Sequence, residues 1–143
     1  MTERRKKRLW LLAAFCVPAG LYLIVMIAAR VTPFGGGSLL LWDASEQYAP
    51  FLAFWRGVLT GQNDLLYSLS RGAGYSTAGL IGYYLADPLN LLLLLFPADK
   101  IPLAFSALIL VHIGLCGLTF FIFLRKVYDC GWAGLLFSTS YAL

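Results

Sequence analysis

The sequence predicts an all-α integral membrane protein, the N-terminal part of a polytopic helical bundle with a long outer loop carrying interfacial or re-entrant helices. Three observations carry that expectation. Of the 143 residues, 60% are hydrophobic and only 13% charged, whereas a water-soluble domain needs roughly 25% charge to cover its surface. Two runs, residues 9–29 and 101–124, contain no Lys, Arg, Asp or Glu. The basic residues Arg4, Arg5, Lys6, Lys7 and Arg8 stand directly before the first run.

The net charge of +4 arises in that flank, because the remaining Lys and Arg are matched in number by Asp and Glu. A nucleic-acid surface needs cations interleaved with polar residues along a folded face, so no nucleic-acid partner is expected. Residues 1–8 read instead as a cytoplasmic basic flank. Cys16, Cys116 and Cys130 sit in or beside apolar runs without metal-ligand spacing, and read as small packing residues.

Residues 9–29, 21 in number, reach about 31 Å as a helix and cross a hydrocarbon core of ~30 Å. A cleaved signal peptide has an apolar core of only ~7 to 15 residues, so an uncleaved anchor is favoured. Residues 101–124 form the second span, with Arg125 and Lys126 after it. By the positive-inside bias, 125–130 is a cytoplasmic turn and 30–100 an extracytoplasmic loop. Within the second span, His112 lies near small Gly114, Cys116 and Gly117, a pattern of close helix packing with a neutral His bonded to another helix.

Residues 83–96 are too short for a comfortable crossing and hold Asp87, Pro88 and Asn90. They are expected to form an interfacial or re-entrant helix, with Asp87 capping or turning it. Residues 131–143 start a third span and stop without a polar flank. That ending reads as truncation, so the expectation is a piece of a longer protein, inactive alone, whose partners are the lipid bilayer and the remaining helices.

The loop carries too many aromatics for disorder. Tyr48, Phe51, Leu52, Trp55, Val58 and Leu59 recur at helical spacing, which predicts an amphipathic helix over 50–60 with Pro50 in its first turn, Gly61 at its stop and Trp55 as an interfacial anchor. Asp43 and Glu46 precede it, three residues apart. Such a pair serves as general base and orienting acid, or shares a cation. The same spacing fits a capping box with Asp43 as N-cap and Glu46 at N3. Spacing alone leaves both open.

Asp43, Gln47, Tyr48, Pro50 and Phe51 form D-x-x-x-Q-Y-x-P-F after a single N-terminal helix. With 67–75 (YSLSRGAGY), 83–97 (YYLADPLNLLLLLFP) and the closing Tyr141-Ala142-Leu143, the chain resembles the N-terminal portion of the YfhO family of bacterial membrane proteins. That family resembles the GT-C glycosyltransferases, which take a sugar from a polyprenyl-phosphate donor and keep an essential acid in the first outer loop. The resemblance implies a plasma-membrane enzyme acting on a cell-envelope acceptor, with Asp43 at the position of that catalytic acid; Glu46 is the second catalytic candidate from its spacing to Asp43. It also implies a divalent cation at Asp43, although Asp43 with Glu46 departs from the D-x-D or E-x-D pair of many such enzymes. Gln47, Tyr48, Arg71, Gly72 and Gly74 are the substrate-binding candidates. A lone Arg71 beside glycines either brings a guanidinium and bare N–H groups to a lipid phosphate or stands solvated. The competing function is a non-enzymatic transport or assembly subunit.

Overall fold

A computed structural model describes residues 3–69 and 74–143. Among the described residues 74% are helical and the strands are one two-residue antiparallel pair, so helices carry the architecture. Helix α1 spans Glu3–Ala28. It begins within the basic flank, because Lys and Arg are good helix formers and nothing breaks the helix before Leu9. Helix α4 spans Ile101–Tyr128, with Arg125 and Lys126 in its last turn, where cations complement the negative end of the helix dipole.

A 3-10 turn at Ala98–Lys100 leads into α4 and lengthens it to a helical segment of 31 residues. This segment and α1 are long and apolar enough to cross a membrane, and only 22% of the most apolar window of each is buried within the protein. The remaining apolar surface requires cover by lipid or by other protein.

The chain divides into two compact units. The first is Met1–Gly35 with Ile109–Leu143, which holds α1, most of α4 and α5 (Trp132–Ala142). Its close approaches are made by glycine. A Cβ on Gly117 would lie 2.6 Å from the Ala14 carbonyl oxygen and 2.7 Å from Pro18 Cγ, and one on Gly114 would meet the Phe15 ring at 2.6 Å. Glycine at both positions therefore lets α4 backbone rest on α1, as the small-residue pattern predicts. Aromatic stacking fills the rest, with Trp10 on Phe121 at 6.3 Å and Phe120 on Tyr141 at 4.2 Å between ring centroids. His112 is exposed along α4.

The second unit is Gly36–Leu108. One turn of π-helix, Ala44–Tyr48, runs into α2 (Ala49–Leu59), followed by β1 (Tyr67–Ser68) and β2 (Tyr75–Ser76). Helix α3 (Thr77–Leu80) passes into a second π-turn, Ile81–Leu85, and then a 3-10 helix, Pro88–Leu95. Two apolar clusters hold α2 in place, Leu52 with Leu93, Ile101, Ala104 and Leu108, and Phe51 with Leu80 and Leu85. Each fully buried Leu or Phe contributes about 1.5 to 3 kcal/mol.

Two sequence expectations gain detail here. The helix expected over 83–96 is not one rod: its α3/π portion and its 3-10 portion meet at 95°. Pro88 drives the break. It disfavours the helical region for the preceding residue, and Asp87 accordingly sits at φ −66°, ψ 119°, while its carboxylate accepts the Leu89 N–H at 2.9 Å. Asp87 thus caps the segment, as read from sequence. Trp55 packs against both apolar clusters and is half-buried, because its position on α2 faces inward with Phe51 and Leu52.

Candidate functional site

The second unit places most of the candidate residues, beginning with an unusual backbone at Trp42. That residue adopts φ +50° and is 89% exposed. A bulky side chain in the left-handed region is an outlier that costs on the order of 1 to 3 kcal/mol, and such residues cluster at functional sites. The Trp42 carbonyl accepts from the Ser45 N–H at 3.0 Å, the Glu46 N–H at 3.2 Å and the Ser45 hydroxyl at 2.8 Å. Backbone and serine therefore satisfy the start of the helical segment.

Asp43 does not. It lies at φ −56°, ψ −27°, already helical, and makes no side-chain cap hydrogen bond. The capping-box alternative is thereby corrected: an N-cap needs an extended backbone for its carboxylate to turn back on the following N–H groups, and Asp43 lacks it. Both Asp43 and Glu46 are exposed, and neither carboxylate has a partner among the described residues. π-Turns such as Ala44–Tyr48 occur often at functional sites because they re-aim successive side chains.

Glu46 borders an open cavity of about 960 Å³ whose wall includes Phe54, Gln62, Asn63, Asp64 and Tyr67. Phe51 and Leu80 form its apolar floor. Asn63 is held by its amide, which donates to the Phe54 carbonyl at 3.0 Å, and Asp64 Oδ1 accepts the Leu66 N–H at 2.7 Å. Gly57 makes this possible, since a Cβ there would collide with the Asn63 amide. Aromatic faces beside amides and carboxylates suit a polyhydroxylated ligand: rings cover apolar sugar faces while amides and acids bond its hydroxyls.

The cavity wall does not include Asp43, Gln47 or Tyr48. The two acids read together from sequence are thus split, Glu46 into the wall and Asp43 outside it. Tyr48 turns the other way, its ring edge-on to Tyr84 at 4.2 Å, with Phe51 5.7 Å from Tyr84 and Tyr83 at 4.0 Å. Tyr48 therefore braces the bent 81–95 segment. Asn90, buried, closes the bend by donating its amide to the Tyr84 carbonyl at 3.2 Å and the Leu85 carbonyl at 3.4 Å.

Gly74 has φ +118°, a conformation L side chains rarely adopt, and a Cβ on it would run into the Tyr67 ring of the cavity wall. Gly74 thereby leaves room for the Tyr67 ring in the cavity wall. Arg71 and Gly72 lie outside the described residues. Among the described residues, no three His, Cys, Asp or Glu side chains gather as a metal site. A divalent cation at Asp43 would take that one carboxylate from the protein, the rest of its shell coming from water or a bound ligand.

A family model described as "Bacterial membrane protein YfhO" matches residues 13–143. The chain belongs to the YfhO family. No curated protein and no solved structure matches it. The YfhO match begins inside α1 and spans every candidate residue. Membership and the two apolar helices together make this a membrane protein.

Gln62, Asn63 and Asp64 escaped the sequence reading. Their signal was a polar run directly after Gly61, which has φ +74° and ends α2. Such a run reads as an ordinary turn until the β1–β2 pair brings Tyr67 beside it.

Proposed function

We propose that this YfhO-family chain is part of a glycosyltransferase of the bacterial plasma membrane, using a polyprenyl-phosphate-linked sugar and an acceptor hydroxyl of the cell envelope. In this reading the N-terminus is cytoplasmic, α1 and α4 are spans of a polytopic bundle, and 30–100 lies on the outer side with its bent 77–95 segment re-entering the membrane face. The observation that carries the reading is the pair of unpartnered carboxylates, Asp43 beside the strained Trp42 and Glu46 in the wall of an aromatic and amide-lined cavity.

The chemistry follows from those positions. Asp43, unencumbered by a cap, takes the proton of the acceptor hydroxyl. The acceptor oxygen then forms its bond to the anomeric carbon as the bond from that carbon to the phosphate oxygen breaks, and the polyprenyl phosphate leaves as an anion. Glu46, Gln62 and Asn63 bind sugar hydroxyls, while Tyr67 and Phe54 cover the ring. Positioned general-base catalysis contributes typically 10²- to 10⁴-fold. No step is assigned to a metal.

The test is an Asp43→Asn exchange at the chromosomal codon, followed by compositional analysis of envelope glycopolymers. Loss of one sugar substituent at unchanged protein level supports the reading, and an unchanged composition removes it. A second reading has its own observation: Asp43 lies outside the cavity wall, as in an assembly subunit whose loop only docks partners. That reading expects Asp43→Asn and Glu46→Gln both to leave glycan composition intact.

A further inference from the structure

We propose that the basic cradle between the first turns of α1 and the last turns of α4 is a binding site for the phosphate group of an anionic membrane phospholipid. Two cavities form it. One, of about 350 Å³, is lined by Glu3, Arg4, Lys6, Lys7, Trp10 and Arg125. The other, of about 480 Å³, is lined by Lys7, Leu11, Ile122, Arg125, Lys126 and Asp129. Lys7 and Arg125 belong to both walls.

The cations outnumber the acids by three, with Arg4, Lys6, Lys7, Arg125 and Lys126 against Glu3 and Asp129. Neither acid neutralises them, since among the described residues the ion pair formed is Lys100 with Asp99.

The second observation is the state of Arg125. Its Nη1 is buried with no hydrogen-bond partner among the described residues. Buried guanidinium N–H groups are almost always bonded, and an orphan costs about 1 to 3 kcal/mol or more. Its Cζ stands 5.9 Å from the Phe121 ring centre, and Phe121 is itself fully buried and stacked on Trp10. The fork is thus held in place by aromatic packing, with a donor that has nothing to donate to. A planar fork with lysines beside it is the donor set that takes phosphate oxygens bidentately.

The floor identifies the source of the phosphate. Leu11 and Ile122 line the second cavity under Lys7, Arg125 and Lys126, placing apolar surface beneath charge as a glycerophospholipid requires. Tyr128 and Trp132, each 69% exposed, stand at the same end of α4 and the start of α5, the residue types that sit at headgroup level. Basic pockets between membrane helices bind anionic headgroups in this way.

The experiment uses the purified chain, reconstituted in phosphatidylcholine vesicles containing phosphatidylglycerol, re-extracted in detergent and weighed intact by native mass spectrometry. Lys7→Gln with Arg125→Gln is compared with Arg5→Gln with Arg8→Gln, which removes the same charge from residues outside both walls. We expect the first pair to lower retained phosphatidylglycerol about fivefold per cation lost, and the second to retain it as the unaltered protein does. Equal loss in both pairs means diffuse surface attraction and overturns the site. Displacement of the lipid by millimolar inorganic phosphate, with no preference for phosphatidylglycerol over phosphatidylcholine, overturns the lipid assignment. If the double variant loses its helical circular dichroism, Arg125→Lys decides: it keeps the charge and removes the fork, so reduced retention supports the site and full retention overturns it.

Discussion

The Arg56 side chain donates its Nε hydrogen to the Phe96 carbonyl oxygen at 2.8 Å, joining α2 to the end of the bent segment across 40 residues of sequence. This bond lies beside the apolar cluster of Leu52 and Leu93. It fixes where the 3-10 helix ends and α4 begins. Removing the guanidinium leaves a part-buried carbonyl without its charged donor. For Arg56→Gln we expect a loss of about 1.5 to 3 kcal/mol, read as faster amide hydrogen exchange across 96–101 and a lower thermal midpoint in detergent.

Close helix contact at Gly117 gives a paired test. A Cβ there meets Ala14 and Pro18, whereas one on Gly20 meets nothing within 4 Å. Gly117→Ala should cost about 1 to 3 kcal/mol through overpacking. Gly20→Ala should gain a few tenths to 1 kcal/mol from helix propensity. Unfolding of the two variants in mixed micelles separates them, and equal effects would contradict the packing described.

The buried amide of Asn90 bonds two successive carbonyls at the bend. Asn90→Leu keeps the volume and strands both carbonyls, so a loss of about 1 to 3 kcal/mol is expected. Asn90→Asp adds a buried charge beside two carbonyl oxygens and should be worse at neutral pH than at acid pH, where the neutral form donates. Thermal midpoints of both variants at two pH values check the order.

At Trp42 the left-handed backbone makes glycine the better conformer. Trp42→Gly should stabilise the loop by up to about 1 kcal/mol while lowering sugar transfer if the exposed indole holds substrate or membrane surface. A stability gain with full activity would show that the strain serves no function.

Much of the architecture was legible because it is written in runs and spacings. The charge-free stretches gave α1 and α4 as helices, Pro50 and Gly61 bounded α2 within a residue or two, and Asp87 before Pro88 announced a capped turn. What sequence could not give was direction. Asp43 and Glu46 read as one site from their spacing, yet the π-turn between them sends only Glu46 to the cavity. An α-helical register places such residues on one face, and nothing local signals that the register slips. The cavity wall was equally hidden, because Gln62, Asn63 and Asp64 meet Tyr67 through tertiary packing that no short motif encodes. Trp55 followed the same rule, its amphipathic spacing fitting an interface and a core alike.

The most direct measurement is sugar transfer in membrane vesicles from the producing bacterium, comparing Asp43→Asn with the unaltered protein at matched amounts and with a radiolabelled polyprenyl-phosphate sugar. Because Asp43 makes no cap bond, the substitution should leave stability within about 0.5 kcal/mol. We expect transfer to fall about 10²- to 10⁴-fold. Transfer at the unaltered rate, with the protein folded and present, would contradict Asp43 as the general base.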